Sequence, residues 1–183
     1  MKNLLIFLVA GIFGTCGNKI PAQMYQPVDH SSVIKIIVKN VGMEVEAIVN
    51  GLEGDITFIP TDLKKSNFSV SLDATTINTG IEIRDSNLQG EDYLDTKKYP
   101  KIHIASKQIS QGNKPENFLL KAIVTLKGIS KDVSIPFTVM PTEGGMVFSG
   151  NFKINRLDFK IGVGSVVLSN NMSVSLLVFA KKV

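Results

Sequence analysis

A chain of 183 residues, 44% hydrophobic and 20% charged, has the length of one domain and enough apolar mass for its own core, which excludes a disordered chain. One cysteine and two histidines cannot build a Cys/His zinc cluster or a disulfide framework, so no metal and no cofactor is expected. Twenty basic against 16 acidic residues gives a formal charge of only +4, with no concentrated basic stripe, so nucleic acid is not an expected partner.

The chain opens with Lys2 ahead of an apolar run from Leu4 to Phe13. That run is too short to cross a hydrocarbon core of about 30 Å as a helix, so no transmembrane span is expected. A basic start, a short apolar stretch and then Ile20-Pro21-Ala22 read as a secretory segment over residues 1–22, with cleavage before Gln23. Lipid anchoring at Cys16 is the alternative, although Phe13 and Thr15 stand where such signals carry Leu and a small residue. Loss of residues 1–22 removes Lys2 and Lys19 and no acid, lowering the charge from +4 to +2.

From residue 23 to 183 no composition shift, repeat or low-complexity tract divides the chain, so one domain is expected. Its dominant signal is period-two alternation. In chain order, Ile34, Ile36 and Val38 alternate with Lys35 and Lys39, although Ile37 breaks the pattern. Shorter strands are expected at 44–49 and 55–59. Phe68, Val70, Leu72 and Ala74 then share a face, followed by a strand at 101–109 with His103 on its outer side. Phe118, Leu120, Ala122, Val124 and Leu126 form the next face, and Val133, Ile135, Phe137 and Val139 repeat it. Met146, Phe148, Phe152 and Ile154 follow, and Val174, Leu176, Val178 and Ala180 close the chain. Asn50-Gly51, Pro60, Gly112-Asn113, Pro141 and Gly144-Gly145 supply turns between them. Only 85–98 looks capable of helix. Nine or ten strands in one domain predict an all-β, antiparallel sandwich or barrel.

Reactive constellations are weak. Asp29-His30-Ser31 suggests a catalytic triad, but neighbours on an extended segment point to opposite faces, so structural hydrogen bonding is the better reading. No nucleophile elbow, phosphate loop or dinucleotide fingerprint is present, and the expectation is a protein that is not an enzyme. Glu91-Asp92-x-x-Asp95 lacks calcium-loop spacing and reads as a solvated turn. Arg84-Asp85, beside Thr79-Gly80, and Asn155-Arg156-x-Asp158, at the end of a strong strand, are candidates for internal ion pairs that fix loops at a barrel mouth.

These motifs occur in an order that resembles the YceI-like proteins, a lipocalin-like, polyisoprenoid-binding family. The series runs from Tyr25-x-x-x-Asp29-His30-Ser31 through Ile77-Asn78-Thr79-Gly80, Arg84-Asp85-Ser86-Asn87-Leu88, Tyr93-Leu94-Asp95 and Tyr99-Pro100. It continues with Leu126-Lys127-Gly128-Ile129-Ser130-Lys131, Asn155-Arg156-Leu157-Asp158-Phe159 and Leu168-Ser169. Asn87 stands where the family usually has His, and another His is often found near the position of Asn40, so a role resting on imidazole does not carry over. Residues 46–54 match the family's usual pattern only loosely.

The resemblance implies a single antiparallel lipocalin-like β-barrel with one or two short helical segments. It further implies a periplasmic or secreted protein holding an isoprenoid or fatty-acyl lipid in its lumen, with a dimer left open. Barrels of eight or more strands can enclose a ligand. A chain of ~30 carbons at ~0.3 kcal/mol per atom would gain about 9 kcal/mol, enough for sub-micromolar binding without polar contacts. Alternating faces nominate Phe68, Val70, Leu72, Phe118, Leu120, Val133, Ile135, Phe137, Phe148, Phe152, Leu176 and Val178 for the lumen. Asp29, His30, Ser31, Arg84, Asp85, Asn155, Arg156 and Asp158 are expected to be structural. The rival classes are an interaction module with a filled core, which predicts no cavity, and an enzyme acting on a lipid, which predicts polar groups inside.

Overall fold

Alternating faces pair into a sheet, and the sheet closes on itself. A computed structural model describes residues 23–183. The expected cleavage after Ala22 and the alternative anchor at Cys16 fall outside the described residues. The strands are β1 Met24–Pro27, β2 Val33–Asn40, β3 Met43–Val49, β4 Glu53–Thr57 and β5 Asn67–Asp73. After one helix come β6 Lys101–Gln111, β7 Asn117–Leu126, β8 Ile129–Thr142, β9 Gly145–Asn155 and β10 Leu168–Lys182.

All pairings between strands are antiparallel, in the order β1-β4-β5-β6-β7-β8-β9-β10-β2-β3, and β1 also pairs with β10. Tyr25 therefore lies opposite Ile56 on one side and Lys182 on the other, which closes the ring. β1 with β2, and β3 with β4, are each one strand interrupted by a bend, so the segments form a closed eight-strand barrel. The bends are tied together: the Asp29 carboxylate accepts the Leu52 N–H at 2.8 Å. The Ser32 hydroxyl donates to the Val28 carbonyl at 2.7 Å and accepts the Phe179 N–H at 3.1 Å, holding the first bend to β10.

The helix differs from the expected 85–98. α1 spans Glu82–Gln89, and residues 91–98 form turns instead. Gly90 takes an extended conformation and ends the helix, while Glu82 and Asp85 sit in its first turn, where the positive end of the helix dipole favours carboxylates. Short 3-10 turns occupy Asp29–Ser31, Leu63–Lys65, Ala74–Thr76 and Arg156–Phe159.

The two barrel ends differ. One carries both ends of the described chain and the β8–β9 turn: the Val183 N–H donates to Met24 and that of Lys182 to Gly144. Its interior is filled by five phenylalanines. Phe58, just past β4 and 1% exposed, meets Phe118 and Phe148 edge-on with centroids at 5.1 and 5.6 Å, and Phe118 stacks on Phe137 at 5.4 Å. Phe68 completes the cluster against Phe148 at 5.4 Å. Such pairs add stabilisation beyond the area they bury. The other end carries α1, the β2–β3 and β7–β8 hairpin tips and the 160–167 segment.

Candidate functional site

Above the phenylalanine floor the barrel is not filled. It holds a cavity of about 540 Å³, within the roughly 300–1,000 Å³ typical of small-molecule sites. Its walls come from nearly every strand. Ile34, Ile36 and Val38 of β2, Val45 of β3, Val70 and Leu72 of β5, Val124 of β7, Ile154 of β9 and Val174 of β10 all line it. The hydrogen-bonding side chains on the wall are Asn40, Thr79, Arg84, Asn87 and Tyr93, and all belong to the α1 end of the barrel. This end is the mouth.

The twelve residues nominated from alternation distribute unevenly. All but Phe118 and Val133 line the cavity. Phe118 is spent on the floor, where it stacks on Phe137 and meets Phe58. Val133 packs at the edge of the core without reaching the void. The nominated set leaves out the upper wall from β2, β3, Ile154 of β9 and the mouth half of β10. In β2, successive Ile36, Ile37 and Val38 hide which face turns inward.

Five of the eight polar candidates, Asp29, Arg84, Asp85, Asn155 and Arg156, make side-chain hydrogen bonds, and their partners are not the expected ones. Arg84 and Asp85 do not pair with each other; both hold Thr79. The Asp85 carboxylate accepts the Thr79 N–H at 2.8 Å and its hydroxyl at 2.5 Å, while Arg84 Nε donates to that hydroxyl at 2.8 Å and its Nη2 to the Thr79 carbonyl at 3.1 Å. The 79–80 turn is thereby clamped to the start of α1.

Arg156 does not pair with Asp158, which is exposed. Its guanidinium, in a side chain only 1% exposed, donates to the carbonyls of Ser169 (3.0 Å), Ile161 (2.7 Å), Val163 (2.7 Å) and Leu168 (3.4 Å), and to Asn170 Oδ1 (3.1 Å). Several oriented carbonyl dipoles thus do the work expected of a carboxylate, because residues 161–170 wrap around the side chain. Asn155 caps the 3-10 turn by accepting the Leu157 N–H at 3.0 Å. In the first bend Asp29 is engaged, whereas His30 and Ser31 are exposed and the bonded serine is Ser32. A 3-10 turn there shifts the facing pattern by one residue.

Among the described residues that line the cavity there is no His, Asp, Glu or Cys. The shifted carboxyls are at the surface: Lys101 and the Ser71 hydroxyl hold Glu53 below the usual carboxylate range, and the Thr75 hydroxyl and N–H do the same for Asp73. Burial pushes the Tyr25 hydroxyl up, but Tyr25 belongs to the packed core beside the closing seam. Among the described residues no three His, Cys, Asp or Glu side chains are grouped to hold a metal ion. None of the helices among them is long and apolar enough to cross a membrane.

The YceI-like domain family matches residues 25–180. The UPF0312 protein plu2095 of Photorhabdus laumondii is 26% identical over 120 residues, which span 61% of this chain and 62% of that protein. Among solved structures, BcnA of Burkholderia cenocepacia is similar with a TM-score of 0.79 and 19% identity, over 83% of this chain and 98% of that one. A polyisoprenoid binding domain from Saccharophagus degradans, described as implicated in plant cell wall breakdown, is similar with a TM-score of 0.71 and 14% identity, over 87% and 98% of the two chains. At these identities the structural likeness is one of fold.

Proposed function

This chain belongs to the YceI-like family, and from that premise we propose that it is a non-catalytic carrier of a long apolar lipid, isoprenoid or fatty-acyl, acting outside the cytoplasm. The observation that carries this reading is the cavity of about 540 Å³, walled by aliphatic and phenylalanine side chains, with its hydrogen-bonding groups confined to the mouth. Such a wall removes apolar surface from water and offers a chain no directional contact, so it selects for length and flexibility more than for functional groups. The similar domain from Saccharophagus degradans is described as polyisoprenoid-binding. The lipid tail would run along Phe68, Val70, Leu72, Leu120, Ile135 and Leu176, and its polar end would remain near Asn40 and Asn87.

The test pairs two substitutions on neighbouring residues of β7. Leu120 is buried and lines the cavity, whereas Lys121 is exposed on the outer face. An ionised carboxylate in the lumen cannot be compensated by a hydrocarbon chain, so Leu120→Glu should weaken binding of a fluorescent isoprenoid by roughly a hundredfold, or about 2–3 kcal/mol. Lys121→Glu should leave it unchanged. Circular dichroism establishes that both variants are folded before titration. Equal binding by the two folded variants would remove the lumen as the site.

A further inference from the structure

The mouth is surrounded by apolar side chains that the fold leaves in water. Val41 and Met43, at the β2–β3 hairpin tip, are 67% and 70% exposed, Ile83 at the start of α1 is 74% exposed, and Val163 and Val166 are 80% and 104% exposed. Three separate segments supply them. They surround one opening: the Val41 N–H donates to the Val167 carbonyl at 2.8 Å, and Ile83 lines the cavity as well as facing solvent. Ile83 thus carries apolar surface from the lumen to the outside, beside the polar side chains of the mouth. Exposed apolar patches of this kind mark interaction sites.

The hairpin tip carries a second sign of selection for exposure. Val41-Gly42 forms a two-residue turn with φ +51° and +78°, closely matching Lys127-Gly128 at +52° and +71°. That turn favours Asn, Asp or Gly at its first position, and a β-branched residue in the left-handed region is strained. Here valine occupies it and points an apolar side chain into water. Strain held at an exposed tip suggests that the side chain serves something beyond folding.

Resting on the lipid-carrier reading, we propose that this rim docks the mouth on a zwitterionic lipid bilayer, so that a lipid passes between membrane and lumen without crossing water. The exposed apolar side chains of the rim are Val, Ile and Met on protruding tips, while Tyr93 and Arg84 at the mouth are half-buried, a poor match to the aromatic and Arg anchors that dominate protein interfaces. Its charged neighbours are of both signs, with Lys39 opposite Glu44 in the hairpin and Glu82 beside Ile83, so apolar insertion drives docking and anionic lipid is not needed. Both ends of the described chain, near Met24 and Val183, lie at the opposite pole from the rim.

The sheet closes on itself and packs its core within residues 23–183, and flotation of this segment with phosphatidylcholine vesicles tests the proposal. The triple variant Val41→Asp, Met43→Asp, Val166→Asp alters no cavity-lining residue, and aspartate suits the turn at position 41 better than valine. The bound fraction should fall roughly tenfold or more in the triple variant. Met140→Asp, an exposed apolar position toward the closed end, should float as the unmodified protein does. Both variants should bind a soluble fluorescent farnesyl probe normally. If the triple variant fails to fold, Val166→Asp alone serves, with a smaller loss expected. Probe binding without flotation of the unmodified protein, or equal flotation of rim and control variants, would overturn docking and leave the carrier reading standing. Failure of the folded, unmodified protein to bind the probe at all would overturn the carrier reading, and docking with it.

Discussion

The two ends of the barrel balance packing and side-chain hydrogen bonds differently. At the closed end, Phe58, Phe68, Phe118, Phe137 and Phe148 fill the interior, and ring packing dominates. At the mouth the interior keeps a cavity, and the side chains the loops turn inward, among them Ile77, Leu94, Phe159 and Ile161, pack beside it. Hydrogen bonds add to that packing: Arg84 and Asp85 grip Thr79, and Arg156 gathers the carbonyls of residues 161–169. A barrel that keeps a cavity needs polar clamps where it gives up core. This contrast explains why the buried arginine is found beside the opening.

Substitutions at each end should therefore fail differently. Phe58→Ala leaves a void in a packed floor and should cost about 3–5 kcal/mol in thermal or chemical denaturation. Lipid should still bind, because the mouth and upper wall are intact; lost binding in a folded Phe58→Ala protein would contradict the division into floor and lumen. Arg156→Met should cost about 2–3 kcal/mol, since several partly buried carbonyls lose their donor together. Hydrogen exchange should rise in residues 161–170 and stay unchanged in the phenylalanine-bearing strands. Arg84→Ala and Asp85→Ala should each cost about 1–2 kcal/mol, and their double variant should cost less than the sum because both act through Thr79.

The smallest effect concerns the Tyr25 phenol at the closing seam. Burial raises its pKa, so the folded state keeps the proton more tightly than the unfolded chain, which ionises near ~10. Its contribution is complete below about pH 10 and is lost as pH rises toward the folded value. Tyr25→Phe should flatten the alkaline side of the melting profile and leave the neutral region almost unchanged.

Strand identity was legible because each stretch with one buried face alternates: Phe118 to Leu126 and Val133 to Val139 read correctly as facing one interior. What alternation cannot say is how far along the barrel axis a residue sits. Phe118 and Phe137 face the same interior, but only Phe137 also borders the void. Phe58 was placed inside a strand expected at 55–59, yet β4 ends at Thr57 and the ring becomes the floor. The clamps were legible as charged residues and not as geometry. Carbonyl acceptors such as those around Arg156 belong to every residue and leave no trace in a sequence. The shared role of Thr79 was hidden because Arg84 and Asp85 are adjacent and invite pairing with each other. Asn40 and Asn87 stand where the resemblance fails, and the fold brings both to the cavity wall at the mouth.

The central claim is that the space above the phenylalanine floor belongs to a lipid. The most direct measurement is mass spectrometry of the organic-extractable material that accompanies the folded protein, compared with the Leu120→Glu variant purified in parallel. The account predicts one class of long-chain apolar lipid, near one molecule per barrel, in the unmodified protein and a marked depletion in the variant. No associated lipid, together with no uptake of isoprenoid or fatty-acyl chains by the folded protein, would contradict it.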